Sequence, residues 1–498
     1  MMKPTFSEAK ALATKGYKVV PICYEIMSDV ITPIELLRKL KQESEHCYIL
    51  ESVVNQEYSG RYTYLGYNPT LNITCSNGVV KVKDVEGNII QEEKTLQPNE
   101  HIKKFLKEYA SPKLTGLPTF TGGLVGYFSY DYIKYVEPTL VLDGKDEEGF
   151  HDFDLMLFDK VICFDNLRQK IILIANAKTD DMETGYKQAV EDIKQLVSII
   201  RKEVTSKIPT SKLKSEFKPL FNKKEFCQMV EEGKKYIFEG DIFQVVLSNR
   251  LEAEFEGSLF DAYRMLRTSN PSPYMFYFSG DEIEVAGSSP ETLVKLNDGA
   301  LHTFPLAGTR PRGANEEEDK ALESDLLSDE KELAEHNMLV DLGRNDLGRI
   351  SKFGSVEVEK YMSIERYSHV MHIGSTVKGI IREDCSGMDA IDAVLPAGTL
   401  SGAPKIRACE IINRLENNKR GIYGGAVGYM DFTGNLDTCI AIRIAYKKNG
   451  KVFIRSGAGI VADSIPEKEY EECINKAQAV VNAVEQAQEV DNHDFINR

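Results

Sequence analysis

Gly424-Gly425-Ala426-Val427-Gly428-Tyr429-Met430, then Gly434-Asn435, then Thr438-Cys439-Ile440-Ala441-Ile442-Arg443 is the stretch on which the fold turns. Two β-prone runs separated by a Gly-Asn step carry the signature of a hairpin. A hairpin predicts antiparallel sheet rather than a doubly wound parallel one. Just upstream lies Leu395-Pro396-Ala397-Gly398-Thr399-Leu400-Ser401-Gly402-Ala403-Pro404-Lys405. It is too irregular for a helix or a central strand, so it reads as a shaped loop that ends in a cation.

Working outward, residues 1–202 read as mixed α and β. Strands are expected at Tyr48–Leu50, Asn72–Cys75, Val161–Phe164 and Ile171–Ile174, and a helix from Thr184 to Lys202. Residues 203–222 are rich in Lys, Ser, Thr and Pro and read as a linker. From Lys223 to Arg498 helices and strands alternate irregularly.

At 498 residues the chain exceeds one ordinary core, so two domains or one large composite unit is expected. Its 42% hydrophobic and 28% charged content is that of a globular protein. No apolar run approaches membrane-span length. Nine Cys, with no Cys-x-x-Cys, argue against a disulfide framework or a zinc site and for a reducing cytoplasm. A net charge of −16 disfavours nucleic acid or an anionic membrane as partner. It leaves room for a small anion, because a few local Arg and Lys decide that.

Two glycine motifs are set aside. Gly398 to Lys405 is one residue short of a phosphate-binding P-loop, and Ile406 stands where a metal-binding hydroxyl belongs. Gly457-Ala458-Gly459 follows a strand-like run, Lys451–Arg455, as in a dinucleotide fingerprint. Asp463-Ser464-Ile465-Pro466 then delays the next helix past the point where a pyrophosphate needs its N-terminus. A loop offering N–H groups to another anion, a carboxylate, fits better.

Carboxylates supply the chemistry. Glu332 and Glu335 share one face of a helix. Leu333, Ala334, Met338, Leu339, Val340 and Leu342 fall all round it, so the helix is expected to be buried. Buried carboxylates must be paired, protonated or metal-bound; the alternative to a metal is an ion pair with Arg344 or Arg349. Glu469 and Glu472 repeat the spacing, with Lys476 one turn on, where a solvated flank is the alternative. Together the four would make an oxygen site for a hard cation such as Mg2+. Arg443 lies in an apolar strand and there needs an anion. His372 is a candidate catalyst, with a structural role as the alternative.

These residues resemble the chorismate-utilising enzymes, and within them the large subunits of anthranilate synthase. The likeness is dense from about 223 to 487. It runs through Asp241–Arg250, Asn270–Met275, Gly287–Glu291, Pro305–Gly313, Glu332–Asp346, the loop Gly398–Lys405 and Gly457–Gly459. It extends weakly upstream through Leu50–Ser52 and Gly122–Asp131.

The resemblance implies an α+β fold: a composite two-sheet antiparallel sandwich with surrounding helices, in which the regions 1–202 and 223–498 pack as one body. It implies that Glu335 and Glu472 hold Mg2+, with Glu332 and Glu469 nearby. Tyr423, Arg443 and Gly457, Ala458 and Gly459 would hold the enolpyruvyl carboxylate of chorismate, and Gly308 and Thr309 would line the pocket. Ammonia would add to the ring as the C4 hydroxyl leaves, with Glu291 as general acid. Pyruvate would then be eliminated with help from His372, and with Thr399 close by.

Gln244 stands where isochorismate synthases carry a water-activating Lys, and Ala307 where many aminodeoxychorismate synthases carry a Lys nucleophile. Both point to ammonia and to anthranilate. Glu51, Ser52, Asn270, Pro273, Tyr274, Met275 and Cys439 match the family's tryptophan-feedback residues. No nucleophile elbow of an amidotransferase is present, which implies a separate glutamine amidotransferase subunit as partner. Two other readings stand beside this one: an aminodeoxychorismate synthase component, and a catalytically silent tryptophan-binding subunit.

Overall fold

The computed structural model describes residues 2–52, 60–203, 208–367 and 370–490. Alternation of apolar side chains along the strands builds two large sheets in which every pairing between named strands is antiparallel. The first runs in the spatial order Val19–Met27, Lys170–Lys178, Lys160–Asp165, Tyr62–Tyr67, Cys47–Glu51, Tyr274–Ser279, Glu284–Ser289, Ile444–Lys448, Lys451–Ile460 and Gln244–Glu256. The second runs Leu306–Pro311, Val370–Ile380, Ala300–Thr303, Thr292–Asn297, Leu436–Ile440, Ala426–Asp431, Gly123–Phe128, Phe153–Phe158, Leu71–Ser76, Val79–Lys83 and Ile89–Lys94.

The period of two sorts each strand between two cores. In Tyr274–Ser279, Phe276 and Phe278 join Tyr48, Tyr127, Phe158, Tyr429 and Phe453 in a core fed by both sheets. Met275 and Tyr277, one residue out of phase, face the other way with Cys47 and Ile49, onto the helices Pro33–Glu43, Met182–Arg201, Phe260–Ser269 and Pro466–Gln486. The outer face of the second sheet packs on Glu330–Gly348 and Gly387–Val394. The result is four layers, helix on sheet on sheet on helix.

The predicted hairpin is present as Ala426–Asp431 and Leu436–Ile440, with Tyr429 opposite Asp437. The strands expected at Tyr48–Leu50, Asn72–Cys75, Val161–Phe164 and Ile171–Ile174 all lie within observed ones, and the helix expected from Thr184 is Met182–Arg201. Strands from either side of 203–222 share both sheets, meeting where Cys47–Glu51 pairs with Tyr274–Ser279 and where Gly123–Phe128 pairs with Ala426–Asp431. The segment read as a linker is itself part of the fabric, because Lys212–Leu213 and Lys218–Pro219 pair with Gln244–Glu256. Backbone donors on that edge find partners there, and polarity of the side chains does not prevent it.

Candidate active site

Two of the points at which the chain changes sheets are neighbours. Glu284–Ser289 lies in the first sheet and Thr292–Asn297 in the second; Leu436–Ile440 lies in the second and Ile444–Lys448 in the first. Glu291 occupies one crossover and Arg443 the other. The crossovers are stitched together: the Ile440 N–H donates to the Glu291 carbonyl at 3.0 Å, and the Ser288 N–H to the Arg443 carbonyl at 3.1 Å. Arg443 is therefore not in a strand, as the sequence suggested. Its φ of +53° is left-handed, and such a conformation costs a non-glycine residue on the order of 1–3 kcal/mol. Among the described residues no carboxylate pairs with its guanidinium, and burial lowers its proton affinity. A half-buried cation in that state is a receptor for an anion.

Glu291 is half-buried, and burial pushes its carboxyl up to about 7, against the Thr399 hydroxyl, which donates to Oε1 at 3.1 Å and favours ionisation. Thr399 rides on the turn Gly398–Leu400 of the shaped loop. Ala403 and Gly402 of that loop pair with Gln244 and Val245 of the first sheet. Its terminal cation is spent structurally. Lys405 Nζ donates to Asp346 Oδ2 and to the Val394 carbonyl, both at 2.9 Å. The pair is nearly enclosed, so Lys405→Met leaves a buried carboxylate without its partner. We expect a loss of roughly 3–5 kcal/mol, read by urea denaturation.

A register break between Ala307 and Arg310 marks the strand that carries Gly308 and Thr309. Gly308 has φ +65°, and a Cβ there would sit 2.9 Å from Leu326 and 3.2 Å from Glu332. Its carbonyl lies 2.8 Å from His372 Nδ1, and Thr309 Oγ1 lies 3.1 Å from the same nitrogen. A carbonyl only accepts, so Nδ1 carries the proton and Nε2 presents a lone pair. Burial first, and Arg443 in part, lower the basicity of the ring and keep it neutral.

The carboxylate helix, Glu330–Gly348, buries His336, Leu339 and Val340 but leaves Ala334 exposed and Glu332 and Glu335 half-buried. It is not enclosed all round, because one side of it faces solvent. Arg344 and Arg349 pair elsewhere, with Asp341 and Glu137; Glu332 instead lies 3.6 Å from Arg310. Burial and the neighbouring Glu335 raise the proton affinity of Glu332, and burial and Glu472 raise that of Glu469. Each pair thus has the repelling oxygen donors that suit a hard cation. Glu472 lies 2.7 Å from Lys476 on a half-exposed flank. Among the described residues no group of three acidic, His or Cys side chains converges on one point.

The sequence underrated Lys476, which also donates to the Gly457 carbonyl at 3.3 Å and lends its charge to Glu291. Gly457, Ala458 and Gly459 are not a loop. They form the end of the strand Lys451–Ile460 and pair with Ser248, Leu247 and Val246. On the other side Ile444–Lys448 stops at the Ala445–Ile454 pair, so this end of the strand has an open edge. The Tyr423 hydroxyl would lie 2.9 Å from a Cβ on Gly457. Gln244 Nε2 donates to Glu335 Oε1 at 3.3 Å, and its own Oε1 is buried without a partner among the described residues. His336 escaped the sequence reading. Its Nε2 is 2.7 Å from Ser375 Oγ, which ties the carboxylate helix to the strand of His372.

The residues matched to tryptophan feedback fall on both faces of the first sheet. Glu51 sits opposite Met275 on the helix side and is bound by Tyr263 and Arg267. Tyr274 packs toward the core between the sheets, where Cys439 lies, and bonds Asp437 and Thr292. Asn270 caps the helix Phe260–Ser269, with Pro273 three residues on and Ser52 just past the strand Cys47–Glu51.

Comparison with known proteins agrees with this architecture. Anthranilate synthase component 1 of Acetivibrio thermocellus is 47% identical over 498 residues, covering 98% of this chain and 100% of that protein. The Aquifex aeolicus protein of the same name is 45% identical over 487 residues, covering 96% and 97%. The solved structure of anthranilate synthase component I from Streptococcus pneumoniae TIGR4 superposes with a TM-score of 0.75 at 38% identity, covering 91% of this chain and 98% of that one. The family model described as chorismate binding enzyme matches residues 45–482, and on that span the chain belongs to the chorismate binding enzymes.

Proposed function

We propose that the chain is the large subunit of an anthranilate synthase and converts chorismate and ammonia to anthranilate and pyruvate. The observation that carries the reading is a half-buried carboxyl, Glu291, poised near neutrality on the crossover bonded to that of Arg443, whose guanidinium pairs with no carboxylate among the described residues. Arg443, Tyr423 and the open edge at Gly457–Gly459 receive the enolpyruvyl carboxylate. Glu291 gives its proton to the C4 hydroxyl as ammonia adds at C2 and the double bonds shift. His372 Nε2 then takes the C2 proton as pyruvate leaves and the ring becomes aromatic.

Gln244 is neutral and has no proton-accepting group of the strength needed to activate water, which favours ammonia as the nucleophile. Glu335 and Glu472 would hold Mg2+, with Glu332 and Glu469 nearby; when bound, the ion neutralises the ring carboxylate of the substrate. Ammonia comes from glutamine through a separate amidotransferase subunit, in keeping with the name component 1 borne by the relatives. Among the described residues no helix is long and apolar enough to cross a membrane, and all nine Cys are unpaired, consistent with a cytoplasmic enzyme.

Fluorescence tests the reaction. The purified chain with chorismate, Mg2+ and ammonium develops anthranilate emission, and a chelator abolishes it. Consumption of chorismate without that emission would mean an aminodeoxychorismate-type product, and no consumption a silent subunit. We also infer feedback by tryptophan through Glu51, Ser52, Asn270, Pro273, Tyr274, Met275 and Cys439. Ser52→Arg then relieves inhibition at least tenfold with little change in kcat; unchanged inhibition would exclude the site.

A further inference from the structure

Behind Glu291 lies a cavity of about 40 Å³ that the steps above do not use. Glu291 and Thr399 stand at it, and it follows the inward stripe of the carboxylate helix, past Leu339 and Leu342 to Asp346. A water needs roughly 10–15 Å³ of cavity and two to four polar partners, and a purely apolar cavity stays dry. This one meets both conditions. Thr303 uses its hydrogen on the Leu293 carbonyl at 3.1 Å and keeps its lone pairs free. Asp346 commits Oδ2 to Lys405, and Glu291 commits Oε1 to Thr399, so each carboxylate has a second oxygen to offer.

The geometry points to a function for this space, and the inference rests on the reaction proposed above: the cavity receives the water expelled from C4. The C4–O bond breaks with its electron pair on oxygen, which takes the Glu291 proton and becomes water. The ammonia lone pair forms the C2–N bond, and a proton of the new ammonium restores the Glu291 acid. The expelled water is formed in contact with Glu291. Left against the ring it would add back. Drawn into the cavity, it hydrogen-bonds to Thr303, Asp346 and the newly charged Glu291, and the aminated ring is committed to losing pyruvate. Thr303 and Asp346 are thus positioning residues that act through a water.

Leu342→Phe fills the cavity, and Leu342→Met conserves its volume. We expect Leu342→Phe to lower kcat for chorismate consumption at least tenfold, with KM for chorismate and for ammonium within twofold of wild type and Leu342→Met close to wild type. Wild-type kcat in Leu342→Phe would overturn the inference, as would an equal loss in both variants. Should Leu342→Phe not fold, the isosteric Thr303→Val is expected to show the same split. Crystals of the wild-type chain should show an ordered water within hydrogen-bond distance of Thr303 Oγ1 that Thr303→Val lacks, and a dry wild-type cavity would overturn the inference. The crystallographic result needs no turnover. An inactive wild-type enzyme therefore counts against the proposed reaction, and a dry cavity in an active enzyme against this inference alone.

Discussion

Glu291→Gln lowers kcat for anthranilate formation by about 10²–10⁴-fold, the usual worth of a positioned general acid, and leaves chorismate affinity within a few-fold. The amide keeps the shape and the bond from Thr399 but has no proton to give. Two pH effects accompany it. In the wild type, kcat/KM for chorismate at constant free ammonia declines as pH rises through about 7, because the acid form of Glu291 is lost. Stability moves as well. The folded protein holds the Glu291 proton more tightly than the unfolded chain, whose carboxyl titrates near 4.5. The wild type therefore loses stability between about pH 4.5 and 7, as the half-buried carboxyl is forced to ionise. Glu291→Gln escapes that loss. Its stability advantage is absent at pH 4 and approaches roughly 3 kcal/mol above pH 8. Urea denaturation at the two pH values measures it; an advantage independent of pH would mean that the carboxyl is not held protonated.

His372→Met has the second large effect, and it separates the two halves of the reaction. The variant continues to consume chorismate and ammonia but releases pyruvate at least about 10²-fold more slowly, so an aminated ring that keeps its enolpyruvyl group accumulates. The Gly308 carbonyl fixes the imidazole tautomer at 2.8 Å, and only Nε2 is left to take a proton. Methionine fills the space but takes no proton. Coupled lactate dehydrogenase measures pyruvate while chorismate is followed by its absorbance. Pyruvate released in step with chorismate loss would remove His372 from the elimination.

The sequence was most legible where a local signal and the tertiary structure agree. The Gly434-Asn435 turn set a hairpin because its left-handed requirement is met at that one place, where Gly434 has φ +92°. The four expected strands are short apolar runs that any sheet would use. Legibility failed where backbone partners come from far away. Gly457–Gly459 has the composition of a loop, yet ten successive register pairs with Gln244–Glu256 hold its strand. Arg443 looked like a strand residue because its neighbours are apolar; nothing local announces that the chain leaves one sheet there for the other. Lys405 looked like a free cation, and Asp346, its partner, is 59 residues away. Residue types in the site were readable from motifs, whereas the burial that tunes Glu291 is a property of the crossovers.

Interleaving of strands along the chain has a consequence for how the protein is made. The places in the first sheet between Glu284–Ser289 and Gln244–Glu256 are filled by Ile444–Lys448 and Lys451–Ile460. The second sheet waits likewise for Ala426–Asp431 and Leu436–Ile440 to join Gly123–Phe128 to Thr292–Asn297. The first 420 residues therefore lack the strands that join the parts of either sheet, and both sheets have open edges. Such edges invite foreign strands. Both sheets of this chain therefore close late in synthesis. The same closing strands carry or flank Tyr423, Arg443 and Gly457–Gly459, so the site is assembled in the last event of folding.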